Sequence, residues 1–131
     1  MTVVLAIILG AAIGAPARYV VERRLAAAYP YGTLLVNVVG SAVLGALAGW
    51  AAALGGTSAH AVVYALVGVG FCGSLTTFGG YAAQVLDLAV APDVAGRLAS
   101  SWRSLGYATV SVLGCVGIAA LAYVAARAVA G

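Results

Sequence analysis

A cluster of glycine and hydroxyl residues, Gly70–Tyr81, interrupts an otherwise apolar stretch of this sequence. Glycine weakens helices, and non-helical backbone at membrane depth is stable only where protein buries it or where it lines an aqueous cavity. Exposed carbonyls and half-helix C-termini coordinate cations, whereas half-helix N-termini favour anions. The cluster therefore predicts an ion or substrate site, with a glycine notch for tight packing as the alternative.

Other polar residues are spaced along the apolar segments. Asn37 lies in the middle of one of them, and its carboxamide must find a partner on another helix or in a pore. Phe78 and Tyr81 are three residues apart, on one helical face, and their ring edges carry partial positive charge that suits an anion path. Tyr107 and Ser111 start a stripe with a spacing of four that could line a pore or be scattered polar residues.

Arg18 and Glu22 are also four residues apart. They are either an exposed pair at the membrane boundary or, for Arg18, a group that attracts anions. The sequence has no nucleophile with its base, no phosphate-binding loop and no metal cluster, so we expect no enzyme activity.

The elements that position these residues follow from composition. The chain has 131 residues, of which 65% are hydrophobic and 7% charged, and its mean hydropathy is +1.15. Soluble domains carry about 25% charged residues, so this is an all-α integral membrane protein. Four helices of about 20 residues use nearly the whole chain and predict a single membrane domain, 1–131. So few charges make no nucleic-acid surface.

The apolar segments predict spans at about 2–21, 32–54, 59–88 and 104–126. The third is longer than one crossing needs, which is consistent with a break. Asp93–Arg103 is the longest predicted loop, with an interfacial helix as the alternative. Five of the six arginines belong to the connections after spans one and three, which places those connections in the cytoplasm and both termini outside.

Three stretches taken together resemble the signature sequences of the Fluc/CrcB fluoride channels: Gly10–Tyr19, Tyr31–Ser41 and Gly70–Phe78. Their order and spacing match, and the resemblance covers essentially the whole chain. It implies an antiparallel, dual-topology dimer of four-helix subunits, with the third helix broken mid-membrane. It also implies passive fluoride-selective pores that export fluoride from the cell. The expected location is the lipid bilayer of the plasma membrane, a bacterial inner membrane.

The resemblance also implies functional residues. A structural sodium ion (Na+) would be held by the backbone carbonyls of Gly73 and Thr76, and antiparallel pairing would supply four oxygens, which suits a hard cation. Fluoride would exchange its water shell for amide and hydroxyl donors and ring edges. Arg18 matches the vestibule arginine. The pore residues implied are Asn37, Thr77, Phe78, Tyr81, Tyr107 and Ser111.

Two features depart from the family pattern. Tyr81 replaces a second phenylalanine, and Gly79 and Gly80 replace a serine and a threonine. The arginine bias is also unusual for a chain that inserts in both orientations. Together they suggest an oppositely oriented paralogue as the dimer partner, in place of a second copy.

Two other functions stay open. A non-conducting or partner subunit of a heterodimeric channel would share the fold. A small multidrug-resistance type exporter also has four short helices, but it needs an intramembrane carboxylate for proton coupling. Here Glu22, at the membrane edge, is the nearest candidate.

Overall fold

The computed structural model describes residues 1–26, 29–55, 60–90 and 97–131, and these form helices and no strands. Helix α1 spans Thr2–Arg24 and α2 spans Tyr31–Ala53. Helix α3 consists of Ala61–Val63, a π-helical stretch Tyr64–Cys72, and Gly73–Leu75. Helix α4 spans Phe78–Val90, and α5 spans Arg97–Ala130.

Four helical segments of the described chain are long and apolar enough to cross a membrane, with α3 and α4 together making the third. This confirms the prediction of a multi-pass, all-helical membrane protein. The break in the third segment falls between Leu75 and Phe78, within the predicted Gly70–Tyr81 cluster. The sequence did not predict the π-helical stretch.

The predicted loop Asp93–Arg103 is wrong over its second half, because α5 already begins at Arg97. No proline or glycine occurs from Arg97 to Leu105, so nothing in the sequence stops the helix at the membrane boundary. Residues 93–96, and the predicted start of the third span at Ala59, lie outside the described residues.

Glycines bring the helices into close contact. Gly10 and Gly14 of α1 lie against α3, and Gly45 and Gly49 of α2 lie against backbone carbonyls of α5. A Cβ atom at any of these four positions would overlap atoms of the neighbouring helix. The packing fixes α3 against α1 and α2 against α5. Gly40 of α2 lies against Thr76, which holds the break next to α2.

Candidate functional site

Asn37 joins α2 to the break in the third span. The Thr77 backbone N–H donates to Asn37 Oδ1 at 2.8 Å, and Asn37 Nδ2 donates to the Thr77 carbonyl at 3.3 Å. One carboxamide therefore holds both peptide groups of Thr77. The interhelical hydrogen bond expected as one of two alternatives for Asn37 is present, and Asn37 also lines the groove described below.

Thr77 caps the second half of the broken span. Its Oγ1 accepts a hydrogen bond from the backbone N–H of Gly80 at 3.0 Å, which satisfies an amide in the first turn of α4. A Cβ atom at position 80 would lie 2.8 Å from Thr77 Cγ2. Gly80 thus departs from the family pattern at the residue that packs directly against the cap.

Arg18 lies at the same break and is half-buried. Its Nη1 donates to the Thr76 carbonyl at 3.4 Å. Glu22 accepts a hydrogen bond from Thr33 instead. The interpretation of Arg18 and Glu22 as a simple exposed pair is therefore wrong, because each side chain turns toward another element of the bundle.

A partly buried chain of hydrogen bonds links four helices and was missed by the sequence reasoning. Tyr107 Oη donates to Gln84 Oε1 at 2.9 Å, Gln84 Nε2 donates to Thr33 Oγ1 at 2.7 Å, and Thr33 Oγ1 donates to Glu22 Oε1 at 3.1 Å. Thr33 precedes Asn37 by four residues, and Gln84 follows Tyr81 by three. Those helical spacings were the available signal.

An open groove of about 380 Å³ gathers most of the predicted site. Seven of the nine predicted residues line it: Asn37, Gly73, Thr76, Thr77, Phe78, Tyr81 and Ser111. The other two contact the lining, since Arg18 donates to Thr76 and the ring of Tyr107 lies 6.0 Å from that of Tyr81. None of the described lining residues is charged.

Aromatic rings and one unpaired hydroxyl form the wall of the groove. The ring centroids of Phe78 and Tyr81 are 5.8 Å apart, and Phe78 is 80% exposed. Ser111 is only 3% exposed, yet among the described residues its Oγ has no hydrogen-bond partner. A buried hydroxyl without a partner carries a desolvation cost, which a ligand that accepts a hydrogen bond from it would offset.

The described residues contain no cluster of three or more histidine, cysteine, aspartate or glutamate side chains that could hold a metal. The carbonyls of Gly73 and Thr76 are suitable for a cation, because the amides four residues later donate to side chains instead.

Comparison with known proteins matches these features to one family over almost the whole chain. The model of the CrcB-like proteins, described as camphor resistance (CrcB), matches residues 5–126. The chain belongs to the CrcB family. All three stretches that carry the resemblance lie within the matched range, which confirms the resemblance read from the sequence.

Several relatives of this CrcB chain have names that state a function. The fluoride-specific ion channel FluC 1 of Frankia casuarinae is 40% identical over 134 residues, covering 97% of this chain and 98% of the relative. The fluoride-specific ion channel FluC of Gloeobacter violaceus is 35% identical, with 93% and 94% covered. FluC 1 of Nocardia farcinica is 42% identical over 86 residues, covering 63% of this chain and only 56% of the relative.

These relatives make the CrcB family one of ion channels rather than enzymes, as the sequence predicted. The family match also places the four apolar helices in a membrane protein. The compared relatives carry channel names, so they give no support to the alternative of a multidrug exporter.

Proposed function

We propose that this CrcB chain forms a passive, fluoride-selective channel that exports fluoride and lowers its cytoplasmic concentration. Two relatives aligned over more than nine-tenths of the chain are named fluoride-specific ion channels. The observation on the chain itself that carries the proposal is the buried, unpaired hydroxyl of Ser111 beside aromatic rings in an uncharged groove.

The groove offers what a dehydrated fluoride ion needs. Fluoride gives up a tightly held water shell, so its path must supply hydrogen-bond donors in place of water. Ser111 lines the groove and its buried Oγ has no hydrogen-bond partner within geometric reach among the described residues, so it would donate to an ion on turning toward the groove. The N-terminus of α4 at Phe78 presents amides and a favourable dipole. The ring edges of Phe78 and Tyr81 add weak positive charge without binding water strongly.

Tyr107 plays a different part from Ser111 in this proposal. Its single hydroxyl proton is already donated to Gln84 Oε1, and the Tyr107 side chain is 1% exposed. It therefore holds the ring of Tyr81 and the side chain of Gln84 in place, and Ser111 is the hydroxyl donor of α5 that remains for the anion.

A closed pore requires a second chain. The groove is open along one side, and Phe78 projects from it largely uncovered in the single subunit. An antiparallel partner, either a second copy or an oppositely oriented paralogue, would close the groove and exclude lipid from the fluoride path.

A structural sodium ion would lie where two such chains meet. Its ligands would be the carbonyl oxygens of Gly73 and Thr76 from each chain, on the groove wall of each subunit. The open space around Gly73, with nothing within 4 Å of where a Cβ would be, leaves room for a partner's backbone. Bound there, the ion supplies fixed positive charge near the anion path.

Two observations favour a heterodimer as the form of this channel. Tyr81 places a hydroxyl on a ring that the family pattern makes phenylalanine, and the arginines are distributed unevenly between the two sides. A chain with one preferred orientation needs an oppositely oriented partner to form the antiparallel pair.

The test is reconstitution of the purified chain in liposomes, with fluoride efflux measured against chloride and with sodium replaced by a large organic cation. Fluoride-selective, sodium-dependent efflux from the chain alone supports a homodimeric channel. Efflux that begins only when a paralogue is added supports the heterodimer. Proton-coupled export of organic cations, with no fluoride efflux in either case, would overturn the proposal.

A further inference from the structure

The break between α3 and α4 is held open by side chains that take two backbone amides away from the helical ladder. In an uninterrupted helix, the Thr77 amide would donate to the Gly73 carbonyl and the Gly80 amide to the Thr76 carbonyl. Here the Thr77 amide donates to Asn37 Oδ1 at 2.8 Å, and the Gly80 amide donates to Thr77 Oγ1 at 3.0 Å. The carbonyls of Gly73 and Thr76 are among those that lose their helical partners at the break, and they are the two whose amide partners are bound by side chains instead.

Asn37 is well placed for this role because α2 packs tightly against the break. A Cβ atom at Gly40, one turn after Asn37, would overlap the Cγ2 atom of Thr76. Asn37 also donates to the Thr77 carbonyl, so one side chain bonds both the N–H and the C=O of Thr77.

The backbone at the break adopts a conformation that matches this bonding. Thr76 has φ −77° and ψ 157°, an extended conformation that turns its peptide out of the helix. Its own N–H still donates to the Cys72 carbonyl at 2.9 Å, so the first half of the span remains helical up to this point. The change of direction is confined to Thr76 and Thr77, so the Gly73 carbonyl lies before it and the Thr76 carbonyl lies within it.

We infer that Asn37 and Thr77 are positioning residues that keep the Gly73 and Thr76 carbonyls out of the helical ladder and available to a cation, and this inference rests on the proposed function. The Thr76 oxygen also accepts a hydrogen bond from Arg18, so it would bind the cation through its second lone pair. Asn37 accepts the hydrogen bond of the Thr77 amide, which would otherwise bind the Gly73 carbonyl. Thr77 accepts that of the Gly80 amide, which would otherwise bind the Thr76 carbonyl. Replacing either side chain lets an amide return to its helical carbonyl, which weakens the cation site. A loss of fluoride flux in such variants then arises in part through sodium.

Sodium binding is measured on the purified, assembled channel in detergent, as the rise in melting temperature with sodium at constant ionic strength. The variants are Asn37→Leu, which removes both hydrogen bonds, and Thr77→Val, which removes the cap hydroxyl with little change in shape. Thr109→Val is the matched control, because Thr109 is exposed on α5 and does not line the groove.

We expect Thr77→Val, which loses one hydrogen bond, to raise the sodium concentration for half-maximal stabilisation about tenfold, and Asn37→Leu, which loses two, to raise it at least as much. Thr109→Val should leave it unchanged. Hydrogen exchange gives an independent reading that does not need conduction: Asn37→Leu should change the protection of the Thr77 amide, and Thr77→Val that of the Gly80 amide. If Asn37→Leu does not fold, Thr77→Val still carries the test.

Wild-type sodium midpoints in both variants, or unchanged exchange at both amides, would overturn the inference even if the wild-type protein conducts fluoride. A flux defect in Asn37→Leu with an unshifted midpoint would also overturn it, by assigning Asn37 to the pore alone. Absence of fluoride flux from the wild-type protein, alone and with a paralogue, would instead overturn the proposed function.

Discussion

The hydroxyl groups of Tyr107 and Ser111, one turn apart on α5, differ in their hydrogen bonding. Tyr107 donates to Gln84 within a chain of hydrogen bonds, whereas Ser111 Oγ is buried with no partner among the described residues. The family resemblance implies both as pore residues, and their spacing of four is compatible with a pore or with scattered polar residues. The structure separates them, because a proton already engaged in a protein hydrogen bond is not available to an anion.

Replacing Ser111 with alanine tests that difference. We expect Ser111→Ala to lower the initial rate of fluoride efflux about tenfold, since a donor to the ion is lost. Thermal stability should stay the same or rise, because no protein hydrogen bond is removed. Tyr107→Phe should instead lower stability by about 1 kcal/mol, as the Gln84 carbonyl oxygen loses its donor.

The measurements are efflux from liposomes and unfolding of the purified protein, with Thr109→Val as the control. A Ser111→Ala protein that conducts fluoride at the wild-type rate would refute Ser111 as a donor. Destabilisation by Ser111→Ala equal to that by Tyr107→Phe would show that the Ser111 hydroxyl has a partner within the protein.

At the scale of elements, glycines decide how closely the helices approach. Gly45 lies against the carbonyl of Ala119, which cannot move without disturbing α5. We expect Gly45→Ala to destabilise the protein by about 1–3 kcal/mol through overpacking. Gly106→Ala is the matched control: nothing lies within 4 Å of its missing Cβ, and alanine favours a helix.

Unfolding of both variants in a graded detergent or denaturant series measures this difference. Gly45→Ala should unfold at lower denaturant, and Gly106→Ala at the wild-type concentration or above. Equal stability of the two variants would mean that α2 and α5 can separate slightly without cost, contrary to close backbone packing.

The sequence predicted the elements better than it predicted their lateral contacts. Hydropathy predicted the four spans and the Gly70–Tyr81 cluster predicted the break, because spans and break depend on local composition. Helical spacing places Thr33 and Gln84 on the same faces as predicted site residues, but the hydrogen bonds from Glu22 through Thr33 and Gln84 to Tyr107 also depend on which helix faces meet, which the sequence does not give. The sequence did not predict the early start of α5, because the polar residues of Asp93–Arg103 are typical of a loop as well as of a helix end.

At the scale of the molecule, the open groove and the uneven distribution of arginines both bear on which chain pairs with this one. In the proposed channel an antiparallel chain closes the open groove, and arginines disfavour translocation across the membrane. Arg23 and Arg24 end α1, and Arg103 lies near the start of α5, whereas Arg127 alone lies near the opposite ends of the helices. A lone chain should therefore insert mainly in one orientation and rarely find an antiparallel copy of itself.

Neutralising the bias should convert such a chain into a homodimeric channel. The double variant Arg23→Gln and Arg24→Gln removes two of the charges on the side predicted to be cytoplasmic and leaves the groove untouched. C-terminal fusions to a fluorescent protein and to alkaline phosphatase report the orientation in cells, since the first is active in the cytoplasm and the second outside it. We expect phosphatase activity alone from the wild-type chain, both activities from the double variant, and increased fluoride efflux from the double variant without a paralogue.

Arg127→Gln, which removes the opposing charge, should leave the wild-type orientation in place or strengthen it. Mixed orientation of the wild-type chain, or unchanged efflux from a double variant that inserts both ways, would contradict the link between arginine bias and partner choice.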